Sequence, residues 1–176
     1  MILEDIVREW PYFRFHCLIK VKQDEAFNSL RSRIDPKSML LQFDFLENAE
    51  ITEQDEVQTA HWWHLQVTLF TAVAWVAGEK NCFAIISDYS DHDKNATVTF
   101  LLIILRKLLD KYPDVNHLDL FSDGASQHFK QCYTLNAVTM LTSLLGMQRN
   151  KLSINYGFSA TSHGKGPCDG TGGTVK

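Results

Sequence analysis

Long apolar runs are missing from this chain: none approaches the roughly 20 consecutive residues that cross a bilayer. The N-terminus also lacks the basic-then-apolar plan of a secretory signal. Cysteine is scarce and scattered. Cys17, Cys82, Cys132 and Cys168 form no CxxC pair, which argues against a zinc knuckle or a disulfide framework and reads as reduced, intracellular thiols. Low-complexity segments are absent, and so is any basic cluster dense enough to serve as a targeting signal. A net charge of -4 carries no electrostatic footprint of nucleic acid, although a carboxylate site completed by metal ions would itself push the balance negative. What the chain does have is 176 residues, 45% of them hydrophobic and 22% charged. That is enough for one domain with a short N-terminal extension and a substantial core.

Residues Met1 to Arg33 mix acids, bases and aromatics with partial helical spacing, as at Phe27, Leu30 and Ile34. They predict a helical extension over residues 1–37 that packs on the domain's edge or belongs to a larger neighbouring region. Ser38 to Leu46 alternates, with Leu41, Phe43 and Phe45 on one face of a strand and Gln42 and Asp44 on the other. Asn48 to Gln58 is polar and acidic, a solvated connection. Trp62 to Ala77 and Cys82 to Ser87 predict two further strands around the turn-like Gly78-Glu79-Lys80-Asn81, completing an antiparallel meander. A helix is expected from Ala96 to Tyr112, capped by Asp93 or Asn95 and stopped by Pro113. His117 to Asp123 reads as a buried strand ending in the small-residue turn Ser122-Asp123-Gly124-Ala125-Ser126. A helix from Phe129 to Leu145 and a fifth strand around Leu152 to Ala160 follow. Three strands, helix, strand, helix, strand is the ribonuclease H-like plan. The expectation is an α/β fold with a mixed five-stranded sheet and helices packed on its faces, over residues 38–176.

That plan gives the acids a geometry. Asp44 falls on the central first strand and Asp123 at the carboxyl end of the adjacent fourth, where sites gather. Asp169 is the only acid of Thr161 to Lys176, the segment after the fifth strand. Three converging carboxylates do not all stay ionised comfortably without a compensating positive charge. Mg2+ or Mn2+ supplies it, because hard cations take oxygen ligands. Two such ions about 4 Å apart activate water or a hydroxyl and stabilise the leaving oxygen in phosphoryl transfer. In this arrangement Asp44 bridges the metals, and Asp123 and Asp169 each hold one side.

The stretches FSDGASQHFK and ATSHGKGPCDG together resemble the catalytic core of transposase-derived proteins of the D-D-E/D superfamily, over roughly Met39 to Lys176. The resemblance implies catalytic and metal-binding places for Asp44, Asp123 and Asp169, two Mg2+ or Mn2+ ions as cofactor, and DNA as partner. It further implies metal-dependent DNA strand cleavage and joining, a homo-oligomer as one form of assembly, and a nuclear location. His163 and Lys165 are expected to contact phosphate or orient the scissile group. The chain departs from the family's pattern at its end. Asp169 sits among Gly166, Pro167, Gly170, Gly172 and Gly173, a composition poor for the helix that usually carries the third acid. The rest of that helix and a zinc-finger DNA-binding module are lacking, which predicts a truncated core or a domesticated relic that acts only as a binding domain.

Plainer readings stand beside these. Asp44 also reads as a hydrogen-bonded structural acid, and Asp123 as an ordinary turn residue. Asp119, on the same strand as Asp123, is a runner-up ligand, and Glu47 is the fallback for Asp44. His163-Gly164-Lys165 lacks the GxxxxGK[ST] order of a phosphate-binding loop. His61 and His64, around Trp62 and Trp63, read as an aromatic packing cluster rather than a metal site. Asp88, Asp91 and Asp93 read as a solvated loop, since the glycine and distal glutamate of a calcium loop are absent.

Overall fold

In the computed structural model, which describes residues 2–51, 65–145, 152–159 and 166–175, strand β1 (Ser38–Phe45) lies at the centre of a mixed six-stranded sheet. Besides β1, the sheet contains β2 (Ala49–Ile51), β3 (Leu65–Val76), β4 (Glu79–Ser87), β5 (His117–Ser122) and β6 (Ser153–Phe158). β3 pairs antiparallel with β1 on one side and β4 lies antiparallel beyond it. On the other side β5 and then β6 run parallel to β1. The sixth strand is β2, which pairs antiparallel with the first residues of β3 and corrects the five-stranded expectation. It is three residues long and comes from the segment expected to be a solvated connection.

The hairpin from β3 to β4 is tighter than the sequence indicated. Ala77 and Gly78 both have positive φ, 50° and 79°, the left-handed pair that a two-residue turn needs to match strand twist. β4 therefore begins at Glu79, ahead of the expected Cys82.

Alternation along β1 gives the sheet two faces. On the first, Met39, Leu41 and Phe43 join Phe70, Ala72, Leu118 and Leu120, all buried. Helix α2 (Lys94–Lys111) covers them with Phe100, Leu101, Ile104, Leu105 and Leu108. Asp93 caps this helix as expected, its Oδ1 accepting from the Asn95 and Ala96 amides at 2.9 and 2.8 Å. The helix expected from Phe129 to Leu145 is instead two short ones, α3 (Cys132–Thr139) and α4 (Leu141–Leu144), separated at Met140. Phe129 belongs to the preceding turn and points into the core, its ring 5.6 Å from that of Phe43.

The second face carries Leu40, Gln42 and Asp44 and is covered differently. Helix α1 (Ile2–Ser32) is a single helix of 31 residues. Its later part reaches the sheet, where Phe27 lies 5.7 Å from Trp75 and 4.9 Å from Phe121 between ring centres. The glycine-rich end of the chain does form a helix, α5 (Pro167–Val175), contrary to expectation. No helix among the described residues is long and apolar enough to cross a membrane.

Candidate functional site

Parallel pairing of β1 and β5 sets Gln42 opposite Phe121. Asp44 lies two residues further along β1, and Asp123 immediately follows Ser122, the last residue of β5. Asp44 is also opposite Thr71 of β3, whose buried Oγ1 donates to the Asp44 carbonyl at 3.5 Å. Asp123 is held in a turn of its own making: its Oδ1 accepts from the Ala125 amide at 2.9 Å, and the Ser122 hydroxyl donates to its carbonyl at 3.0 Å. The β5 strand thus ends in a fixed carboxylate.

Asp169 stands in the first turn of α5, near enough for its charge to act on Asp44. Pro167 occupies the first helical position, where its missing N–H costs nothing. Asp169 then reaches back, Oδ2 accepting from the Gly166 amide at 2.8 Å, as the acid of a capping box does. Small residues do the rest. Cys168 sinks to 1% exposure with its Sγ donating to the Gln42 carbonyl at 3.4 Å. Gly172 is buried where a Cβ would collide with Leu46. Tertiary packing therefore outweighs poor intrinsic propensity.

The three acids are near enough for Asp44 to feel the charges of the other two. Burial raises the Asp44 carboxyl first, and the charges of Asp123 and then Asp169 raise it further, to about 7, against the Phe45 amide, which favours the ionised form. The Cys168 thiol, beneath the same cluster, is pushed up to about 12 by burial and then by the charges of Asp44 and Asp169. Burial also holds the Tyr156 hydroxyl well above its ordinary value, opposed by its 2.9 Å hydrogen bond with Ser122 and assisted by Asp123.

The fallback ligands are not part of this cluster. Asp119 is buried and engaged within the sheet, accepting from Asn155 Nδ2 at 2.9 Å and facing His117 Nε2 at 3.2 Å. Glu47 is exposed. His163 and Lys165, and the His61 to His64 aromatic group, lie outside the described residues.

Several neighbours of the cluster were not legible as such. Thr71 hydrogen-bonds the Asp44 carbonyl, Cys168 lies near enough to feel the Asp44 charge, and Gln42 Oε1 is buried without a hydrogen-bond partner. Just across β1, Phe45 stacks on His92 at 4.5 Å and meets His128 at 5.6 Å. His92 Nε2 is 2.6 Å from Asn48 Oδ1, whereas His128 Nδ1 is buried without a partner. These histidines are far apart in sequence and share no spacing motif, so no local signal links them.

A carboxyl with a near-neutral pKa can exchange a proton at physiological pH. The oxygen-only donors Asp44, Asp123 and Asp169 are also of the type that Mg2+ or Mn2+ takes. Among the described residues, no group of three or more His, Cys, Asp or Glu side chains stands close enough to hold a metal ion.

The fold is an α/β domain with a mixed six-stranded sheet, and Asp44 and Asp123 lie toward the carboxyl end of its central parallel strands. The chain belongs to the family described as Domain of unknown function (DUF8701), which matches residues 23–176 and so includes all three acids. No curated protein matches the chain.

Proposed function

We propose that this chain is the ribonuclease H-like polynucleotidyl transferase core of a DNA transposase or transposon-derived protein. It cleaves and joins DNA phosphodiesters with two Mg2+ or Mn2+ ions held by Asp44, Asp123 and Asp169. The observation that carries the reading is that Asp44, raised to about 7 chiefly by burial, also feels the charges of Asp123 and Asp169, acids far from it in sequence. The order β4-β3-β1-β5-β6 supports it, being an antiparallel meander continued by parallel strands with the acids at their carboxyl end.

Each residue has a role in this reading. Asp44, half-buried on the central strand, is the shared ligand. The turn of Asp123 and the helix start of Asp169 fix the flanking carboxylates before substrate arrives. When bound, the ions supply activation of the attacking water or hydroxyl and stabilisation of the leaving oxygen. Asp44 must be deprotonated to serve as a ligand, so metal affinity rises with pH through about 7. His163 and Lys165 are assigned to the DNA phosphate, and a nuclear location accompanies a DNA substrate. Asp123→Asn is expected to abolish metal-dependent nicking of DNA while leaving the unfolding transition in place. Nicking retained by that variant contradicts the assignment.

A second reading is a catalytically inactive relic that serves as a binding domain. Under it, DNA binding persists in the intact protein without Mn2+ binding or nicking.

A further inference from the structure

Strand β4 lies at an edge of the sheet: among the described residues it pairs with β3 alone. Edge strands usually carry charge, proline, a bulge or a short length that discourages a further strand. None of these protects the middle of β4. Its register with β3 runs without a bulge from the pair Thr68 and Ser87 to the pair Val76 and Glu79, and residues 81–87, NCFAIIS, hold neither charge nor proline. Ile86 is 61% exposed here, and Lys80, Cys82 and Ala84, which alternation sets on the same face, are exposed with it, as is Asp88 just beyond the strand. On that face β4 and α5 border an open groove of about 550 Å3, lined by Cys82, Ala84, Thr171 and Thr174, so the helix leaves the edge uncovered.

The occupant is identified by the strand's complementarity to itself. A second β4 laid antiparallel, with the two-fold axis through Ala84, brings Lys80 opposite the partner's Asp88 and Cys82 opposite the partner's Ile86, each pair occurring twice. Phe83 then comes opposite the partner's Ile85 on the other face, and the small Ala84 meets its own copy on the axis. Moving the axis to Phe83 or to Ile85 sets Lys80 opposite the partner's Ile86 or the partner's Ser90 and loses both charge pairs. A parallel copy in register sets Lys80 beside Lys80 and Asp88 beside Asp88, like charge on like.

We propose that β4 pairs antiparallel with β4 of a second copy of this chain, with the two-fold axis at Ala84, so that one sheet runs through the dimer. Edge-to-edge pairing covers backbone N–H and C=O groups and leaves the side chains on the sheet's faces, so Cys82 stays open to reagents. Nothing in this pairing depends on the carboxylate site.

Sedimentation equilibrium of the full chain is expected to give twice the 20.1 kDa monomer mass. Ile86→Lys is expected to return the monomer without altering urea unfolding of the sheet. Lys80→Glu and Asp88→Lys each set like charges opposite one another and are expected to weaken association by about tenfold or more. The double variant Lys80→Glu/Asp88→Lys restores both pairs and is expected to recover wild-type association. Under mild oxidation, Ile86→Cys is expected to cross-link position 86 of one chain to Cys82 of the other; the two positions stand roughly 13 Å apart along one strand and do not join within a chain. A monomeric wild-type chain, oligomers that grow beyond the dimer as pairing of β4 with the opposite edge strand β6 would give, cross-links joining position 86 only to itself, or a double variant no tighter than the single ones overturns the proposal.

Discussion

The two faces of the central sheet are built from the same strands by opposite means. On one, Met39, Leu41 and Phe43 meet Phe70, Leu118 and the apolar stripe of α2, and little but hydrocarbon is buried. On the other, the intervening residues Gln42 and Asp44 meet Thr71 and the small-residue helix α5, and that face half-buries a carboxylate against its own electrostatic interest. The first face stabilises the fold. The second carries a cost that a purely structural surface would not need, which is the physical reason for proposing the site there.

Adjacent residues on β1 should break this contrast most sharply. Phe43→Ala opens a cavity in the apolar face and is expected to cost about 3–5 kcal/mol in urea unfolding. Asp44→Asn, one residue away, is expected to raise stability at pH 8, because it removes a desolvated charge facing two others. A comparable loss from both variants erases the distinction between the faces.

The pH dependence sharpens the same comparison. Folding raises the Asp44 pKa from 3.8 to about 7, so the folded state holds that proton more tightly. Its contribution is fully favourable below the unfolded value and is lost as pH rises through the folded one. At about 1.4 kcal/mol per unit the change amounts to a few kcal/mol at most. Urea midpoints of the wild-type chain should therefore contain a decline between pH 4 and 7 that Asp44→Asn lacks. An unchanged pH profile in the variant contradicts the assigned burial of charge.

Smaller effects separate the two sides of α5. Gly172→Ala forces a methyl against Leu46 and is expected to cost about 1–3 kcal/mol as α5 is displaced. Gly173→Ala meets nothing within 4 Å and is expected to gain about 0.5–1 kcal/mol from helix propensity. Equal thermal shifts for both would mean that α5 does not pack as described. The mildest contrast is chemical. Cys82 and Cys132 are exposed and should be alkylated in the native protein, whereas Cys168, buried and with its thiol pushed up to about 12, should react only on unfolding. Rapid native labelling of Cys168 contradicts its place beneath Asp44.

The alternation of β1 was legible because period-two patterning directly encodes two faces, and it placed Asp44 opposite Phe43 and Phe45. Asp123 was equally visible at the end of an apolar strand before a small-residue turn. Asp93 showed itself as a helix cap by residue type and position. Helix α5 was not visible, because its formation rests on Cys168 and Gly172 fitting the sheet, a tertiary fact that opposes local propensity. Strand β2 is too short to carry a period, and the break at Met140 has no proline or glycine to announce it. The histidines beside Phe45 are joined only by the fold.

Calorimetric titration of the intact chain with Mn2+, repeated on Asp44→Asn and Asp123→Asn at pH 8, tests most directly whether these acids form one metal site. A shared site predicts binding by the wild-type chain that is lost in both variants. No binding by the intact chain, or binding that survives both substitutions, contradicts it.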